Sequence, residues 1–84
     1  MSSVDEASAE AQSVVDKLDE ARAGLDQVGS TLDTLAGQLA SMNMDAAAQS
    51  AGAVKDQAET VAGQIEGVKS AVEDLKAQIQ ALSG

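Results

Sequence analysis

The sequence predicts an all-α protein: an antiparallel two-helix coiled-coil hairpin that dimerises into a four-helix bundle. Three observations carry this expectation. The chain has no proline and is rich in Ala, Gln and Leu, residues that favour long helices. Its apolar residues recur at alternating spacings of three and four, as in helices that pack along a seam. The phase of that repeat breaks once, near the middle of the 84 residues.

The first helix is expected over about 4–42. Its seam runs Val4, Ala7, Ala11, Val14, Leu18, Ala21, Leu25, Val28, Leu32, Leu35, Leu39 and Met42. With Val4 labelled a, these are the a and d positions of a heptad. A second helix is expected over about 46–82, with its seam at Met44, Ala47, Ala51, Val54, Ala58, Val61, Ile65, Val68, Val72, Leu75, Ile79 and Leu82. Continuing the first frame would instead place Gln49, Asp56, Thr60 and Asp74 in the seam. Burying unpaired carboxylates is too unfavourable for that. Each seam position x of the first half has a seam partner at 86 − x in the second, so that a residues face d residues and small faces large: Ala7 with Ile79, Ala21 with Ile65, Leu39 with Ala47. A single domain, residues 1–84, folded about Asn43 aligns every layer. The same layers form in a swapped dimer whose arms open at residue 43.

The turn is expected at Met42, Asn43, Met44 and Asp45. Asn tolerates the left-handed conformation that ends a helix, and Asp45 is expected to cap the next one. The two methionines read as flexible gap fillers at the end of the seam.

Eleven of the 14 acids lie on the outer b and c positions, whereas four of the five basic residues, Arg22, Lys55, Lys69 and Lys76, lie at e. Asp19 with Arg22, Glu66 with Lys69 and Glu73 with Lys76 are i,i+3 neighbours within one arm. The e edge mixes these cations with small apolar residues. The g edge is mostly polar and uncharged: Thr31, Gln38, Ser50, Gln57, Gln64 and Gln78. One seam with several Ala layers makes a thin core. The e edge is therefore the expected docking surface for a second copy or a helical protein partner, with Val15, Arg22, Gly29, Ala36, Lys55, Ala62 and Lys69 as its candidate residues. The off-seam glycines fit either helices that firm up on binding or close approach of another backbone.

Composition argues against most chemistry. The chain has no histidine, cysteine or aromatic residue and a net charge of −9. Without an imidazole base, a serine in a nucleophile motif, a phosphate-binding Gly-rich loop or a calcium loop, the expectation is a non-enzymatic protein with no metal or cofactor. An acidic chain is repelled by nucleic acid and by anionic membrane surfaces. No apolar stretch is long enough to span a membrane. The first residues, "MSSVDEASAE", are acidic and polar, unlike a signal peptide, so a cytoplasmic location or a leaderless export route is expected.

About 40 residues per arm, a reversal near residue 43, no cysteine, no signal peptide and an acidic balance together resemble the small W-x-G helical hairpins of bacterial type VII secretion. That resemblance implies a four-helix dimer that is exported or escorts a partner. Where the family carries Trp-x-Gly, this chain reads Asn43, Met44, Asp45, and it has no aromatic residue for the family's C-terminal export signal. No functional residue carries over. The expected function is a small acidic protein–protein interaction module, an adaptor, chaperone or secretion partner acting through a helical-bundle interface. The competing expectations are a component of a larger phage or filament assembly and a hydrophilic stress protectant.

Overall fold

A computed structural model describes residues 3–82. Two long helices, α1 (Ser3–Ser41) and α2 (Asp45–Ala81), pack against each other as a helical hairpin. The hairpin measures 63 × 17 × 10 Å, a single layer one helix thick.

The reversal rests on one residue. Asn43 has a φ of 61°, in the left-handed region that asparagine tolerates better than most side chains. Around it the Met44 amide donates to the Leu39 carbonyl at 2.9 Å and the Asn43 amide to the Ala40 carbonyl at 3.0 Å. This crossed pair is the Schellman arrangement, which satisfies carbonyls that a helix end otherwise leaves open. The start of α2 differs from expectation. Asp45 lies inside the first turn, and Met44 holds the cap position with no side-chain hydrogen bond. Its carbonyl accepts from the Ala48 amide at 2.9 Å. Asp45 acts there as a negative charge at the positive end of the helix dipole.

The register follows from contacts between the arms. Arg22 meets Glu66 at 2.9 Å, Lys69 meets Asp19 at 2.8 Å, Lys55 meets Asp33 at 3.2 Å, and Lys76 donates to the Gln12 amide oxygen at 2.7 Å. In all four the residue numbers add to 88, so one register holds from end to end. These contacts replace the i,i+3 pairs expected within each arm. A cation at e lies beside the seam, and its stem extends across it to a b residue of the facing helix.

Burial shows how the arms are turned about their own axes. The buried residues are Ala11, Val15 and Gly29 of α1 and Ala51, Ala58 and Ala62 of α2, all at a or e. The d residues Val14, Val28, Leu35, Val54, Val61, Val68 and Leu75 are exposed. Each helix is thus rotated toward its e side, and the arms meet along a and e instead of a and d. The alanines Ala11, Ala51, Ala58 and Ala62 at these positions let the backbones approach closely. The lysine and arginine stems cover what remains of the seam.

Candidate functional site: one apolar face

The rotation gives the hairpin two unlike faces. Around a helix the positions run d, a, e, b, so with a and e turned inward d points to one side of the pair and b to the other. Because the arms are antiparallel, both d rows fall on the same side, and so do both b rows.

The b face is electrostatic. Asp19, Asp33 and Glu66 reach the e cations there, and Asp26 lies 3.8 Å from Arg22. The Asp19 carboxylate hydrogen-bonds to the Lys69 ammonium and attracts it, which raises the lysine pKa above its usual value. Every acid in these pairs is about half exposed or more, so water screens the pairs and they serve mainly to set register.

The d face is apolar and open. Val14, Val28 and Leu35 line it from α1, and Val54, Val61, Val68 and Leu75 from α2, each between 41 and 52% exposed. Met42, Met44 and Leu82 extend it at its two ends. Toward the end farthest from the turn the face deepens into an open groove of ≈ 300 Å³, between Ala7, Ala11 and Val14 of α1 and Val72, Leu75 and Ile79 of α2. The groove exists because α1 offers alanines where α2 offers large side chains. Glu10, beside it, is its one charged lining residue.

The structure moves the expected docking surface. Val15 and Ala62, each 4% exposed, and Gly29 are buried in the hairpin's own contact. Ala36 is half-buried, and Arg22, Lys55 and Lys69 are held by acids of the facing arm. The e edge is consumed by the fold, and the residues left open are the d row that the heptad assigns to the core. Within the hairpin, close backbone approach does not require the glycines. A Cβ added at Gly24, Gly37, Gly52, Gly63 or Gly67 meets nothing within 4 Å, and at Gly29 it meets only the Lys55 stem at 3.9 Å.

Among the described residues no cluster of three or more His, Cys, Asp or Glu is arranged to hold a metal, and no helix is long and apolar enough to cross a membrane. No protein-family model, curated protein or solved structure matches the chain.

Proposed function

We propose that the chain is a protein–protein interaction module that buries its d face against another helical surface to complete a bundle. The observation that carries this reading is the pair of valine- and leucine-rich d rows lying side by side and open along the hairpin. Isolated exposed apolar residues are ordinary on a soluble protein, but two parallel rows form a continuous patch of the kind that marks an interaction site. Helical domains commonly bury such a face under a second layer, and this hairpin has one layer. An adaptor, a chaperone and a secretion partner of the type VII kind all work through such a face, and the identity of the captured partner chooses among them.

Photo-crosslinking tests the reading. A photoreactive residue in place of Val61, on the d face, is expected to give covalent protein adducts at physiological concentration. The same residue in place of Asp74, on the solvated back, is expected to give few. Equal yields from the two positions would refute the module.

A further inference from the structure

Resting on that reading, we propose that the occupant of the apolar face is a second copy of this chain, docked face to face with its turn at the opposite end. Three observations point to it. The hairpin is 63 Å long and 17 Å wide, so one whole side of it offers on the order of 1,000 Å², room for the ~800 Å² per partner of a stable interface.

The charge distribution selects a like partner over a basic one. The chain carries a net charge of −9, yet the row bordering the d face carries one acid, Glu10, and one base, Lys17, which cancel, and is otherwise uncharged at Thr31, Gln38, Ser50, Gln57, Gln64 and Gln78. Two copies meeting through their d faces bring these neutral rims together and leave their acidic b faces outermost. A face built for a basic partner would carry its carboxylates on this rim, where they would steer association.

Shape fixes the direction. The terminal half of the face holds the groove floored by Ala7 and Ala11, and the turn half carries the exposed Leu35, Met42 and Met44. Stacking two copies with their turns together sets groove over groove and bulk over bulk. Reversing one copy sets Leu35 of each opposite Ala7 in the groove of the other, and a single two-fold axis fills both grooves at once. The axis then passes near the middle of α1, beside Ala21, an exposed d residue.

The absence of native cysteine makes single-cysteine probes clean. Ala21→Cys is expected to form a disulfide-linked dimer under mild oxidation, and Met42→Cys is not, because the two copies of residue 42 lie at opposite ends. In sedimentation equilibrium the wild type is expected at twice its 8.4 kDa mass. The double variant Val28→Glu/Val61→Glu is expected to dissociate at least a hundredfold more readily while keeping its helical circular dichroism. If that variant loses its helicity, Val28→Ser/Val61→Ser carries the same test. A wild type that remains a single chain at several hundred micromolar overturns the proposal, as does a dimer indifferent to these substitutions. Linkage through residue 42 in place of residue 21 overturns the reversed direction. If the wild type is a single chain and residue 61 still forms adducts with another protein, only the second copy falls; if it forms none, the interaction module falls with it.

Discussion

Val14 and Val15 are chemically identical neighbours on one helix, and the fold gives them opposite environments. Val15 is 4% exposed and Val14 44%. Trimming valine to alanine removes two carbons, each contributing about 0.8 kcal/mol when fully withdrawn from water, so Val15→Ala forfeits ~1.6 kcal/mol. By the same measure Val14→Ala forfeits roughly 0.9 kcal/mol, since nearly half of the residue is already wet. Alanine's higher helix propensity offsets about 0.6 kcal/mol in both variants. The net losses are ~1 kcal/mol at Val15 and ~0.3 kcal/mol at Val14. Any cavity left at the buried site enlarges the first figure. Urea unfolding followed by circular dichroism measures the difference, at a dilution where sedimentation shows a single chain. In a thermal melt it corresponds to a drop of about 4–8 °C per kcal/mol for a chain of this size. A loss at Val14 equal to or larger than that at Val15 in the single-chain regime would mean that the arms meet along a and d, and the two-faced description would be wrong. On the proposed pairing of two copies, the loss at Val14 is expected to grow with concentration, because a second copy would cover it.

Asn43 holds a φ of 61°. Asn43→Val is therefore expected to destabilise by about 1–2 kcal/mol in thermal melts, and Asn43→Gly to be neutral or slightly stabilising. Gly29 is buried, but an added Cβ there meets the Lys55 stem at an ordinary 3.9 Å. Gly29→Ala should thus raise stability by about 1 kcal/mol, read as a higher urea midpoint. The raised pKa of Lys69 means that its contact with Asp19 stabilises the fold fully below the ordinary lysine value of 10.5 and is lost as pH rises through the higher folded value. The lead of wild type over Lys69→Met in melting temperature should accordingly be constant at neutral pH and shrink above that value. A lead that persists into strong alkali would show that Lys69 acts through its stem alone.

The hairpin was legible because a continuous first frame would bury Asp56 and Asp74, a penalty large enough to overrule the absence of Gly or Pro at the turn. Asn43 was legible for the same reason that it works: it is the residue there with a tolerance for positive φ. Asp45 was misread because the backbone of Met44 takes the cap position and leaves the carboxylate one residue too late. The rotation of the arms was not legible from hydrophobicity. Rows a and d are apolar throughout and row e mixes small residues with four cations, so periodicity alone points to a and d as the rows that meet. The charges held the missing signal. Each cation at e, taken as residue x, has an acceptor at 88 − x on the facing arm: Glu66 for Arg22, Asp33 for Lys55, Asp19 for Lys69 and Gln12 for Lys76. Reading those pairs across the arms, instead of pairing neighbours within one arm, turns e inward and d outward.

The apolar d row is one more than the a and e contact between the two helices uses. A lone hairpin sealed along a and e would remain soluble and folded with Gln or Ser at Val28 and Val61. The d row nevertheless keeps valine or leucine from Val14 to Leu35 and from Val54 to Leu75, broken only at Ala21. An apolar row beside the one that joins the arms is what a helix needs when it packs against a second neighbour in a bundle. On the proposed reading the strict a and d spacing superimposes two contacts: a and e join the arms, and d, with a half-buried beside it, is left for a second layer. That division also explains why a thin, alanine-rich seam suffices. The arms need only be held in register by the charge ladder until the larger side chains of the d face are covered.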